Sequence, residues 1–157
     1  MAGPECSILL NAIEAQASMG SWEALNGFVE QEVLTHLPDS SKRYRLRLAC
    51  EEILSNIVRE TSPEHTEGKP VYLWLSSHLQ KQPGRKRFCL QIEDDGPAFD
   101  PQLEKEHNID TAAHIAHRPI GGLGLFLVQQ SVDLAVYQYI NDRNQYRLYI
   151  DLPKADS

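Results

Sequence analysis

The chain is short of the features that mark secreted and membrane-spanning proteins. It has three cysteines in 157 residues, an odd number with no metal-type spacing, and each lies in an apolar context. Such cysteines indicate buried thiols in a reducing compartment rather than a disulfide framework. No apolar run of about 18 residues and no secretory segment is present near the N-terminus. We therefore expect a cytoplasmic protein that makes no contact with a membrane.

Positive charge is also in short supply. The formal net charge is −7 and the isoelectric point is about 5.3, which argues against a broad nucleic-acid-binding surface. Repeats, low-complexity segments and clear linkers are missing as well. With 157 residues, of which 41% are hydrophobic, the chain has enough apolar material for one core. Residues 1–157 are therefore predicted to form a single domain.

Apolar periodicity predicts the order β-α-α-β-β-loop-α-β-β. The predicted helices cover residues 18–37, a second segment that ends at about residue 60, and residues 123–133. Residues 38–41 end the first helix and supply N-cap candidates for the second. The predicted strands cover residues 7–13, 71–75, 88–92, 134–140 and 146–152, with polar turns at 80–86 and 142–144.

Neighbouring strands in this order are linked as hairpins, so the sheet should be mostly antiparallel. About three helices would then cover one face, which makes the fold class α+β, a two-layer α/β sandwich. Residues 101–120 contain Pro101 and Pro119 and have no clear period. A loop this long in a compact domain is typical of a functional lid.

Glu52 and Asn56 lie beside the apolar stripe of the second predicted helix. Residues four apart share one ridge of a helix, so the two side chains project together. A carboxamide oxygen suits Mg²⁺ that also carries phosphate oxygens and water. A carboxylate can take the proton of an attacking hydroxyl. Two solvated surface positions would also explain the pair.

Asp94 and Gly96 follow the strand predicted at residues 88–92. The alternation of that strand places Asp94 on the core side and Asp95 on the opposite side. A buried carboxylate needs a hydrogen-bond donor, and the exocyclic amino group of adenine is one. Gly96 would let a flat base approach. A turn in which Asp94 caps backbone amides is the other explanation.

Gly122, Leu123 and Gly124 lie at the start of the helix predicted at residues 123–133. Exposed backbone amides and the helix dipole favour a bound phosphate at such a place. Glycines also serve as ordinary turn residues. A P-loop or dinucleotide fold would place its glycines after an early strand, whereas these come late in the chain.

Taken in order, the three patches resemble the N, G1 and G2 boxes of the GHKL (Bergerat-fold) ATPase superfamily. The boxes are Glu52-x-x-x-Asn56, Asp94-x-Gly96 and Gly122-x-Gly124. The amino-acid sequences of residues 94–101 and 118–125 further resemble those of the bacterial anti-sigma-factor serine/threonine kinases. The resemblance covers roughly residues 7–152, and three boxes in the right order with a lid between them make it specific.

The resemblance implies a role for each matching residue. Asn56 would coordinate the Mg²⁺ that bridges the ATP phosphates, and Glu52 would be the catalytic base. Asp94 would bind the adenine amino group, with Gly96 shaping the base pocket. The backbone amides of residues 122–124 would hold phosphates, and residues 101–120 would form the ATP lid. Lys105 and Arg118 are both candidates for a contact to the γ-phosphate.

The same resemblance implies a protein substrate. It would be a small anti-sigma-factor antagonist phosphorylated on Ser or Thr, with a sigma factor as a possible second partner and a homodimer as a possible assembly. A nucleotide-loaded module that sequesters its partner with negligible phosphotransfer is the alternative. A histidine-kinase catalytic domain is a third hypothesis, but no helical hairpin with an acceptor histidine is recognisable.

Overall fold

Five strands form one antiparallel sheet. The computed structural model describes residues 6–61, 66–98 and 128–153. The strands are β1 (Cys6–Gln16), β2 (Tyr72–Gln82), β3 (Arg85–Asp94), β4 (Leu134–Ile140) and β5 (Arg143–Asp151). Their spatial order is β1-β2-β3-β5-β4, and every neighbouring pair is antiparallel. The predicted antiparallel sheet is confirmed, with β1 longer than expected.

Two long helices lie between β1 and β2 in the chain. They are α1 (Trp22–His36), which follows a 3₁₀ turn at Met19–Ser21, and α2 (Ser40–Glu60). Of the cap candidates at 38–41, Asp39 is the N-cap, and its side chain accepts from the Ser41 and Lys42 amides of α2. Residues 128–131 are also helical, and the predicted helix start at 123–127 lies outside the described residues. Neither α1 nor α2 is long and apolar enough to cross a membrane.

The core lies between these helices and one face of the sheet. Phe88, Leu90 and Ile92 alternate along β3 toward that face and are fully buried. They belong to one apolar cluster with buried residues of α1 and α2, including Leu25 and Leu46, and with Val128. One sheet face is thus covered by helices, and the predicted two-layer α/β sandwich is confirmed.

The two sheet hairpins turn more tightly than the sequence pattern suggested. β2 and β3 are joined by Pro83 and Gly84 alone, with Gly84 at φ 74°. β4 and β5 are joined by Asn141 and Asp142, both with positive φ, as a two-residue type I′ turn requires. The predicted turn at 142–144 is therefore wrong in its bounds, and Asn144 belongs to β5.

The cysteines differ in exposure. Cys50 and Cys89 are buried, and burial raises the pKa of the Cys89 thiol to about 12. Cys6, at the start of the edge strand β1, is exposed, so the prediction that all three are buried is wrong at this position. All three are free thiols.

Candidate functional site

A cavity of about 160 Å³ lies where the C-terminal half of α2 meets the ends of β3 and β5. Its apolar lining comes from Ile53, Ile57, Pro97, Ala98 and Tyr146. Its polar lining comes from Asn56, Glu60, Thr61, Asp94 and Asn144. A space on the order of 150 Å³ holds a flat six-membered ring. The cavity therefore suits a flat ring that carries a few polar groups.

Asp94 is the most deeply buried carboxylate of this cavity, with 2% of its surface exposed. Its Oδ1 atom accepts from the Gly96 amide at 2.9 Å and from Asn144 Nδ2 at 3.0 Å. Within residues 6–61, 66–98 and 128–153, no donor contacts Oδ2. One oxygen therefore accepts hydrogen bonds within the protein, and the other is available to accept one more. The capping turn and the ligand contact weighed from sequence are compatible because they use different oxygens.

Burial is the main influence on the charge of Asp94. It raises the pKa of this carboxyl, while the hydrogen bonds from Asn144 and Gly96 act in the opposite direction and the neighbouring Asp95 raises it further. A buried carboxylate oxygen without a donor is costly. A ligand with an N–H group at this place would remove that cost.

Asp95 and Gly96 complete the end of β3. Asp95 is exposed, and its Oδ1 accepts from the Tyr72 amide at 2.8 Å, on the side away from the core that the strand phase predicted. A Cβ on Gly96 would lie 3.0 Å from Asp94 Oδ1 and 3.2 Å from Thr61 Cγ2. Glycine is therefore required here so that its amide can approach Asp94. A direct contact of Gly96 with a base stays a prediction.

Asn56 and Glu52 occupy successive turns of α2, as predicted, but only Asn56 lines the cavity. Asn56 is half-buried and shares the lining with Asp94. Glu52 is half-buried too, one turn nearer the N-terminus. No donor in the part of the chain that the structure describes contacts the Glu52 carboxylate, which leaves it available as a proton acceptor.

Arg59 is a residue that the sequence analysis left without a role. Its Nη2 donates to Asn56 Oδ1, and its Nε lies 3.6 Å from Glu60 Oε1. The Arg59 guanidinium is therefore hydrogen-bonded to the same Asn56 oxygen that the resemblance assigns to Mg²⁺. The spacing was a usable signal, because residues three apart on a helix are neighbours.

Asn144 is the second residue that sequence reasoning missed. It is 1% exposed, pairs with Asp94 across β3 and β5, and donates through Nδ2 to Asp94 and to the Pro97 carbonyl at 2.9 Å. The signal was present: the alternation of Tyr146 and Leu148, continued backwards by two residues, places Asn144 on the inner face. The misplaced turn concealed it.

The remaining predicted site residues, Gly122, Leu123 and Gly124, lie outside the described residues. So do the predicted lid at 101–120 and both γ-phosphate candidates, Lys105 and Arg118. Their roles stay predictions. The structure thus brings together Asn56 and Asp94 at one cavity, with Gly96 directly behind Asp94 and Glu52 one helical turn away.

Comparison with known proteins agrees with this geometry. No curated protein matches the chain. A family model described as the histidine kinase-like ATPase domain matches residues 16–150, which include α1, α2, the cavity and strands β2 to β5 up to residue 150, but only the last residue of β1. The chain therefore belongs to the family of histidine kinase-like ATPase domains.

Proposed function

We propose that the protein binds ATP with Mg²⁺ and acts in the cytoplasm as a serine/threonine kinase of the anti-sigma-factor type. The observation that carries the nucleotide assignment is Asp94, which is buried in a ring-sized cavity with one carboxylate oxygen lacking a donor among the described residues. The amino group of adenine fits that oxygen. Membership of an ATPase family supports the same ligand.

The donors present also fit a magnesium ion. Asn56 offers a neutral amide oxygen at the cavity, and Mg²⁺ would use its second lone pair or displace the Arg59 guanidinium that donates to it. Within the described ranges, no cluster of three or more His, Cys, Asp or Glu side chains is placed to hold a metal. Mg²⁺ at Asn56 would therefore take most of its ligands from phosphate oxygens and water, as this ion commonly does.

In the proposed reaction, the protein mainly positions the nucleotide and the acceptor hydroxyl, and it accepts one proton. When bound, ATP would supply the γ-phosphoryl group and leave as ADP, and Mg²⁺ would offset negative charge on the phosphate oxygens. Glu52 would accept the proton of the acceptor hydroxyl, since its carboxylate is half-buried and has no donor among the described residues. Asp94 would hold the base through Oδ2. Gly122 and Gly124 would contribute backbone amides to the phosphates.

The proposed substrate is a Ser or Thr of a small anti-sigma-factor antagonist, and phosphorylation would switch the partner that this chain holds. A sigma factor is the proposed second partner. The support is the motif resemblance at residues 94–101 and 118–125 together with the family match. A nucleotide-loaded module that sequesters its partner without transfer is the alternative.

Phosphotransfer from γ-labelled ATP separates the two functions. The full chain would be incubated with labelled ATP, Mg²⁺ and candidate antagonist proteins, as wild type and as Glu52→Gln. We expect label on a Ser or Thr of one candidate, a loss of at least about 100-fold in Glu52→Gln, and unchanged ADP affinity. Glu51→Gln, on the exposed neighbour, is the matched control.

Each contrary result has a definite meaning. Nucleotide binding without label on any candidate would favour the sequestering module. Full transfer by Glu52→Gln would remove Glu52 as the base. A chain that binds neither ATP nor ADP would contradict the whole proposal.

A further inference from the structure

A chain of hydrogen bonds runs from the edge of the sheet to the floor of the cavity. The Tyr137 hydroxyl on β4 donates to Asn144 Oδ1 on β5. Asn144 Nδ2 donates in turn to Asp94 Oδ1 at the end of β3. Tyr137 does not line the cavity, although its ring packs on that of Tyr146, which does, at 5.3 Å between centroids.

The chemistry of the partners fixes the orientation of the Asn144 amide. Its Nδ2 faces two acceptors, Asp94 Oδ1 and the Pro97 carbonyl, both of which need an N–H group. A reversed amide would place Oδ1 against those acceptors. These two acceptors select the observed orientation, and the Tyr137 hydroxyl, which can donate or accept, donates to Oδ1 and holds the amide in place.

The oriented amide determines which Asp94 oxygen faces the ligand. With Oδ1 held by Asn144 and Gly96, Oδ2 is the oxygen that has no donor among the described residues. A carboxylate oxygen accepts from the exocyclic amino group of adenine. It repels the carbonyl oxygen that hypoxanthine carries at the same ring position, since both are acceptors.

We propose that Tyr137 and Asn144 are positioning residues that fix the Asp94 carboxylate and thereby set the selectivity of the cavity for 6-aminopurine nucleotides over 6-oxopurine nucleotides. This inference rests on the proposed ATP-binding function. It assigns a role in base selectivity to Tyr137, although the side chains of Asn144 and Asp94 lie between Tyr137 and the proposed ligand position.

The test is calorimetric affinity for ADP and inosine diphosphate, measured on the full-length chain as wild type, Tyr137→Phe and Asn144→Ala. Loss of one oriented hydrogen bond should lower the ratio of ADP to inosine diphosphate affinity about 3-fold to 10-fold in Tyr137→Phe, and at least as much in Asn144→Ala. The control is Tyr139→Phe, which removes a hydroxyl from the same strand at a residue that is 47% exposed. It should keep the wild-type ratio.

A pH series adds a readout that a purely structural role would not move. Protonated Asp94 can donate to the hypoxanthine carbonyl, so the affinity ratio should fall as the pH drops through the pKa of Asp94. The Asn144 N–H lowers that pKa, so Asn144→Ala should show the fall at higher pH than wild type. Glu60 on α2 also lines the cavity, and the neighbouring Asp95 acts on Asp94 through its charge. Both residues are the same in every variant.

The outcomes are distinguishable. Wild-type protein that binds neither nucleotide contradicts the proposed function, and this inference with it. Wild-type protein that prefers ADP, with Tyr137→Phe keeping the full preference, overturns the inference alone. Equal weakening of both nucleotides in Tyr137→Phe also overturns it, because that result indicates a structural role only.

Discussion

At the scale of single residues, the two carboxylate oxygens of Asp94 differ in their partners. Strand phase was enough to place Asp94 on the buried side of β3, and the structure confirms this position. The phase could not reveal that Gly96 and Asn144 share Oδ1. That division of the two oxygens makes the carboxylate an acceptor with a defined direction.

Replacing Asp94 by Asn should weaken nucleotide binding. The amide oxygen can still accept from Gly96 and Asn144, but an NH₂ group would then face the adenine amino group. We expect ADP affinity to fall about 10-fold to 100-fold, the range for a lost hydrogen bond to a charged acceptor. Calorimetry measures it, with Asp95→Asn as the matched control. Equal affinity of Asp94→Asn and wild type would contradict the adenine assignment.

The same substitution should have the opposite effect on the ligand-free fold. Burial raises the pKa of Asp94 above its ordinary value of 3.8. The stabilising contribution of the neutral form is therefore complete below the unfolded-state pKa and is lost as pH rises through the folded-state pKa. At neutral pH, the wild type carries the cost of a buried charge that Asp94→Asn lacks.

We expect ligand-free Asp94→Asn to be more stable than wild type at pH 7 by on the order of 1 kcal/mol, which is about 2–4 °C in Tm. The difference should shrink as the pH falls toward about 4. Thermal unfolding of both proteins across this pH range measures it, with Asp95→Asn controlling for loss of a surface charge. A difference that grows toward acid would show that the sign is wrong.

At the scale of secondary-structure elements, the sequence predicted most of what the structure contains. Helical spacing and the cap candidates at 38–41 located α2, because both signals are local. The bounds of the last hairpin were missed because Asn141 and Asp142 adopt positive φ, so β5 begins at Arg143, three residues before the predicted start at residue 146. That shift alone decided whether Asn144 was taken as a turn residue or as part of the site.

Two glycines in different elements should respond oppositely to alanine. At Gly96, which follows β3, a Cβ would meet Asp94 and Thr61 at 3.0 and 3.2 Å. We expect Gly96→Ala to cost about 1–3 kcal/mol and to weaken ADP binding by displacing Asp94. At Gly27 in α1, nothing lies within 4 Å of the added Cβ, so Gly27→Ala should stabilise by about 1 kcal/mol.

Chemical denaturation of both alanine variants, together with ADP calorimetry, checks this pair. Gly27→Ala should leave ADP affinity unchanged because α1 does not line the cavity. A Gly96→Ala protein with wild-type stability and affinity would show that Asp94 and Thr61 yield without cost.

At the scale of the whole molecule, the site exists only because distant segments converge. Asn56, Asp94 and Asn144 come from α2, β3 and β5, and β3 lies beside β5 although 50 residues separate Asp94 from Asn144. Local periodicity carries no information on the order of strands in a sheet. The motifs at residues 52–56, 94–96 and 122–124 could therefore be assigned to one site from the sequence only by their resemblance to a known family. A contact between two strands, such as Asp94–Asn144, could not be predicted.

Because these segments converge only in the folded state, a nucleotide that binds at the site should raise the free energy of unfolding. ADP at about 100 times its Kd should stabilise the chain by about 2.7 kcal/mol, which is about 5–11 °C in Tm.

Part of that shift should require Mg²⁺, because Asn56 is the proposed protein ligand, whereas the base contact through Asp94 should not. Asn56→Ala should therefore keep the ADP shift measured without metal and lose the increment that Mg²⁺ adds. Asn26→Ala, at a half-buried asparagine of α1 away from the cavity, should keep both. An undiminished Mg²⁺ increment in Asn56→Ala would show that the ion is held without Asn56.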